Sequence, residues 1–166
     1  ELYILGDFFE AWIGDDDQST SIDTVKQGLK NLSSKGVPIF FQHGNRDFLL
    51  GSGFAKECGI TLLPESHTAC PFRKPLLLMH GDQLCLDDRA YQSFRQLVRS
   101  TDWQKGFLKK PIEERAEIVQ QMRSRSKELG AQKSAEIMDV NLSEVDRVMT
   151  SHDVEVLIHG HTHRPA

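Results

Sequence analysis

Three histidines stand at alternate positions in "VLIHGHTHRP", residues 156 to 165, and imidazoles at that spacing can grip a metal ion. Val154, Val156 and Ile158 read as a strand entering a core, and residues two apart on a strand share one face. Gly160 lets the backbone turn, so His161 and His163 can converge on one point before Pro165 stops the segment. For an isolated HxH, a polar loop with incidental histidines is the better explanation, so the reading depends on partners elsewhere. Three more loops, each after an apolar run, offer them: "YILGDFFE" carries Asp7, "FFQHGNRD" carries Asn45 and "LLLMHGD" carries His80. Singly these are a turn aspartate, a capping asparagine and a satisfied core histidine. Together they are one carboxylate, one amide and three imidazoles, a mixed oxygen and nitrogen set that suits manganese, iron or zinc better than calcium.

Such a set works only if the chain brings the loops to one place. "LYIL" (2–5), "VPIFF" (37–41), "ITLL" (60–63), "PLLLM" (75–79) and "VEVLI" (154–158) read as buried strands. Ile22, Val25, Leu29 and Leu32 recur at helical spacing between the first two, and Gly36 can close that helix. Strands separated by helices predict an α/β layered fold, in which sites lie beyond the carboxyl ends of strands. All four candidate loops occupy that position.

Residues 86–138 differ, with no clear strand run. Tyr91, Phe94, Leu97 and Val98 predict one apolar helical face. Pro111 suits the first position of a further helix, with Glu113 and Glu114 in its positive first turn, Ile112, Ala116, Val119 and Met122 on one face, and Gly130 to end it. The stretch reads as a helical insertion over an α/β core made of 1–85 and 139–166. Between Lys105 and Lys133 it holds eight basic and four acidic residues. That is a solvated face, or, over a phosphate site, a lid.

The net charge of −4 argues against generic nucleic-acid binding, which needs a basic surface. No apolar run approaches the ~20 residues of a membrane span. Cys58, Cys70 and Cys85 are odd in number without CxxC spacing, which points away from a disulfide framework and fits a reducing cytoplasm. The chain opens on a strand in progress and closes directly after the histidine loop, so it reads as a piece of a longer protein.

The order GD, GN, HGD, GHTH resembles the calcineurin-like metallophosphoesterases. The resemblance implies a layered sandwich with a helical lid and two divalent metals bridged by an aspartate, most often manganese. "EAWIGDDD", "HGNRDFLLG", "IMDVN" and "IHGHTHRPA" are similar, over the whole length, to members that split the pyrophosphate of UDP-2,3-diacylglucosamine in lipid A biosynthesis. That similarity implies UDP-2,3-diacylglucosamine and a membrane surface as partners, and a peripheral place on the cytoplasmic face of the inner membrane. The pattern also has a D-x-H segment before "GD", which is expected before Glu1, and strands expected after Ala166. Without that D-x-H the 166 residues alone are expected to be inactive.

Carried over motif by motif, the resemblance implies that Asp7 bridges the metals. Asn45, His80 and His161 complete one metal's protein ligands, His163 binds the other, and His159 binds neither. Arg46 stands where many superfamily members have a histidine that protonates the leaving group. The phosphate leaving group of a pyrophosphate needs little protonation, and a guanidinium can stabilise charge on phosphoryl oxygens. The competing reading pairs Arg46 with Asp47 for structure. Asp88, Ser126 and Lys133 match lid contacts to the substrate, together with Asn45, Arg46 and His161, while Gly130 stands where relatives often carry Asn. The apolar stretch from Tyr91 to Leu108, with Trp103 and Phe107, is expected to line an acyl-chain site or, for half of its residues, to pack in the core. Glu10 and Asp15 to Asp17 receive no role. A pyrophosphatase of soluble nucleotide sugars and a silent scaffold of this fold are the alternatives.

Overall fold

The computed structural model describes residues 1–133 and 137–164. Pro165, the expected stop of the histidine loop, lies outside them, as do 134–136 of the expected insertion. Strand β1 (Leu2–Ile4), helix α1 (Thr20–Ser34), β2 (Ile39–Phe41), α2 (Ser52–Cys58) and β3 (Ile60–Leu62) alternate, and the three strands pair in parallel in the order β1-β2-β3. Parallel neighbours require a crossover, which α1 and α2 provide. Ile22 and Leu29 on α1, and Phe54, Ala55 and Cys58 on α2, are buried with Ile4, Ile39, Phe41 and Ile60 in one cluster. Gly36 closes α1 as expected, in the left-handed region at φ 80°.

A second sheet holds β4 (Ser66–Ala69), β5 (Leu76–Met79) and β6 (Leu157–His159) in the order β4-β5-β6, with β4 antiparallel and β6 parallel to β5. β4, "SHTA", carries too little apolar character to be read as a strand. β6 starts three residues later than expected, because its pairing register with Leu77–Met79 falls on Leu157–His159. Helix α6 (Leu142–Ser151) covers this sheet, with Val148 and Val154 buried against Leu77, Met79 and Leu84. Gln42, fully buried just past β2, joins the two sheets: its Nε2 donates to the carbonyls of Pro64 (2.9 Å) and Leu78 (2.9 Å).

The stretch read as an insertion is mostly helical in its described residues: α3 (Arg89–Arg99), α4 (Thr101–Leu108) and α5 (Ile112–Gln132). Asp88 caps α3 by accepting the Tyr91 N–H at 3.0 Å. Pro111 is the residue before α5 rather than its first, and the helix runs two residues past Gly130. These helices pack on the core. Phe107 is buried in the first cluster, and Trp103, Ile118 and Val119 pack against it. Arg115, 2 % exposed, grips Asp16 through two N–H···O bonds of 2.8 and 2.5 Å and donates to the Ile13 carbonyl.

These contacts select core packing for Trp103 and Phe107: the rings stack at 4.9 Å, with Phe107 buried in the core and Trp103 packed, partly buried, against it. The face expected of Tyr91, Phe94, Leu97 and Val98 also divides: Val98 is buried, whereas Phe94 and Leu97 stay exposed.

Candidate metal centre

Asp7, Asn45, His80 and His161 follow β1, β2, β5 and β6 at the carboxyl ends of four strands, and the two sheets bring them together. Asn45 Oδ1 lies 3.0 Å from His80 Nε2 and 2.8 Å from His161 Nδ1. His80 Nε2 is 3.7 Å from Asp7 Oδ1, and a ligand atom from each of Asp7, His80 and His161 lies within 4.8 Å of the other two.

Two glycines permit this approach. A Cβ on Gly6 would stand 2.3 Å from the Gly44 nitrogen, and one on Gly44 would stand 2.3 Å from both the nitrogen and Oδ1 of Asp7. The β1 and β2 loops therefore touch backbone to backbone. Asp7, His161 and His163 have φ of 53°, 68° and 55°, a region that L-residues visit at a cost and that clusters at functional sites.

The donor set fits a divalent cation on the chemistry of its lone pairs. His80 Nδ1 sits 2.7 Å from the Leu5 carbonyl, so its N–H is spent there and Nε2 presents a lone pair. The Asn45 Oδ1 that faces it is also an acceptor. Two lone pairs at 3.0 Å repel unless a positive centre lies between them. Burial first, and then the neighbouring His80, push the His161 imidazole down to about 4, so at neutral pH it too is an uncharged donor.

His163 lies outside this tight group. It lines the same cavity of about 390 Å³ together with Asp7, His80, His159 and His161. Arg46 is partly exposed beside Asp7 and is not among the residues that line this cavity. Its Nε is 3.6 Å from Asp7 Oδ2 and its Nη1 2.8 Å from Glu10 Oε2, while its backbone N–H donates to Asp7 Oδ1 at 2.9 Å. It does not pair with Asp47. That carboxylate is fully buried and accepts the N–H groups of Gly44 (2.8 Å) and Phe8 (2.8 Å), which clamps the β1 loop to the β2 loop. Burial pushes the Asp47 carboxyl up, and these backbone donors oppose the rise.

Asp88 and Lys133 are near neighbours that meet each other. Lys133 Nζ is 2.8 and 2.6 Å from the two Asp88 oxygens, which ties the start of α3 to the end of α5. Ser126 is exposed on α5 and does not line the cavity.

The residues left without a role are structural anchors. Glu10 bridges Arg46 and Arg123, Asp15 accepts the Gly51 and Phe54 N–H groups at the start of α2, and Asp16 takes Arg115. The motifs point to Asp47 only as a pair for Arg46 and give Asp82 no role. Each ends a motif, "GNRD" and "HGD", and each is fully buried.

Residues 2–165 match the calcineurin-like phosphoesterase family. The chain is 50% identical over 165 residues to a UDP-2,3-diacylglucosamine hydrolase of Cellvibrio japonicus (strain Ueda107), covering 99% of this chain and 69% of that protein. It is 52% identical, with the same coverage, to proteins of that name from Escherichia coli O127:H6 and Escherichia coli O1:K1. The metal-type donor set at four strand ends and a match along nearly the whole length agree, and the chain belongs to the calcineurin-like phosphoesterases, hydrolases that work with divalent metals.

Proposed function

We propose that this chain carries the core of an enzyme that, together with the expected D-x-H segment, hydrolyses the pyrophosphate of UDP-2,3-diacylglucosamine in lipid A biosynthesis. Water adds to the UMP-side phosphorus, the bond to the bridging oxygen breaks, and UMP and 2,3-diacylglucosamine 1-phosphate leave. The observation that carries this reading is the convergence of Asp7, Asn45, His80 and His161 in a chain half identical to hydrolases named for that substrate.

Two divalent ions, manganese foremost, supply positive charge to the phosphoryl oxygens and lower the pKa of the attacking water when bound. Asp7, Asn45, His80 and His161 would hold one ion, and Asp7 and His163 would contribute to holding the other. Arg46 meets charge that develops on the phosphoryl oxygens, and its partly exposed guanidinium, 3.6 Å from Asp7, supports that role. Lys133, Asp88 and Ser126 bind the glucosamine phosphate portion, which requires the Asp88–Lys133 pair to open or share its donors. The enzyme works at the cytoplasmic face of the inner membrane as a peripheral protein. No helix among the described residues is long and apolar enough to cross a membrane.

One observation favours a soluble nucleotide sugar instead. Trp103 and Phe107 are committed to the core, which leaves Phe94 and Leu97 as the exposed apolar pair on α3. Each methylene buried there contributes ~0.8 kcal/mol, so two acyl chains still gain from partial shelter. Comparing UDP-2,3-diacylglucosamine with UDP-glucosamine in the presence of Mn²⁺ decides between them. A much higher kcat/KM for the acylated substrate is expected, and equal values would move the assignment to the soluble class.

A further inference from the structure

We propose that Arg99, at the end of α3, is a positioning residue that sets Asn45 and His80 relative to each other. The inference rests on reading Asp7, Asn45, His80 and His161 as a metal site. Arg99 is not in that cluster, yet it touches both of the loops that supply its central donors. Its Nη2 donates to the Gly44 carbonyl at 3.1 Å and lies 3.3 Å from Asp82 Oδ2. Gly44 directly precedes Asn45, and Asp82 follows His80 by two residues.

Each loop is held firmly enough for that touch to matter. The Gly44 N–H donates to Asp47 and the Gly44 carbonyl accepts from Arg99, so both polar groups of this glycine are pinned. The peptide leading into Asn45 is thereby held, and with it the position from which the Asn45 side chain projects. Asp82 is fully buried. Besides Arg99 it accepts Arg95 Nε at 2.8 Å and the Tyr91 hydroxyl at 2.9 Å. Burial alone would raise its pKa, but Arg99 and Arg95 outweigh it and hold the carboxyl below its ordinary range.

Arg99 is itself braced. Its guanidinium lies over the Phe48 ring at 5.7 Å, and its Nη1 is 3.1 Å from Glu65. The next residue, Ser100, caps α4, whose Trp103 and Phe107 anchor in the core. Nη2 serves both loops with its two N–H groups while Nη1 takes Glu65, and the shorter, single ammonium of lysine does not reproduce that fixed planar spread of donors. The insertion is therefore a strut for the metal centre as well as a cover.

The test is a calorimetric titration of metal-free protein with Mn²⁺ alone, on the full chain and on the variants Arg99→Lys, Arg99→Ala and Glu65→Gln. Thermal unfolding in chelator is run beside it. Arg99→Ala should weaken Mn²⁺ binding ~10–100-fold, the scale of losing an outer-shell partner, with Arg99→Lys in between. Glu65→Gln, which removes only the exposed partner, should leave the affinity unchanged. In turnover, kcat should fall while KM holds. Unchanged Mn²⁺ affinity in Arg99→Lys overturns the proposal, even if Arg99→Ala fails to fold, as does an equal loss in Glu65→Gln. A parent chain that binds no Mn²⁺ overturns the underlying metal reading instead.

Discussion

The Asn45 side-chain oxygen lies 2.8 Å from His161 Nδ1 across 116 residues of sequence, and the same oxygen lies 3.0 Å from His80 Nε2. One amide thus joins the first sheet, through the β2 loop, to two loops of the second. A neutral oxygen there would add a metal ligand without adding charge, and no hydrophobic contact could replace it. Asn45→Ala should weaken Mn²⁺ binding at least ~10-fold, since losing a direct ligand costs no less than losing a residue that orients one. Titration of the metal-free protein reads this directly, and an unchanged affinity would remove Asn45 from the site.

Arg46 makes a different prediction because its contacts are exposed. Its Glu10 partner is 75% exposed at the side chain, and exposed pairs contribute little to stability. Arg46→Ala should lower kcat ~10²–10³-fold, the scale of one lost charge-stabilising donor. The melting temperature should hardly move. A large drop in stability with turnover preserved would make Arg46 a structural residue.

Two glycines should respond in opposite directions to the same substitution. At Gly44 a methyl would collide with the Asp7 backbone, which cannot yield without moving a ligand. Gly44→Ala should cost about 1–3 kcal/mol in denaturant unfolding, the usual range for overpacking. At Gly130, within α5, a Cβ meets nothing within 4 Å. Gly130→Ala should stabilise by about 0.5–1 kcal/mol through helix propensity alone. Similar effects at both positions would show that the close approach of the two loops is not tight.

The metal-free chain should lose stability in mild acid. His161 has a folded pKa of about 4 against an ordinary 6.5, so between these values the unfolded chain binds the extra proton. Stability then rises with pH through that window, levels off above 6.5, and is lost as pH falls from 6.5 to about 4. Denaturant unfolding in chelator at several pH values tests the sign. His161→Asn should flatten the profile in that window, and an identical slope in the variant would assign the effect to other groups.

The strands β1, β2, β3 and β5, and the helices α1 and α5, were legible because apolar period and turn residues are local properties. β4 and the start of β6 were not. "SHTA" has no pattern of its own and becomes a strand only because β5 offers its edge, and β6 is placed by its register with Leu77–Met79. Local spacing suggested an apolar face from Tyr91 to Val98, but tertiary burial divided it and drew Trp103 and Phe107 into the core.

The sequence by itself determined which side chains follow which strands. Asp7, Asn45, His80 and His161 are fixed by motif to the carboxyl ends of β1, β2, β5 and β6, and an α/β arrangement turns such ends toward one side. Only the tertiary structure decided how closely they meet, because the distance between loops from two sheets depends on contacts without a local signal. The bare approach of Gly6 to Gly44 is one such contact, the buried Asp47 clamp another, and Arg99 reaching from α3 to Gly44 and Asp82 a third. Each is a long-range pairing of polar groups out of water, where geometry and hydrogen-bond satisfaction outweigh the preferences of any single residue.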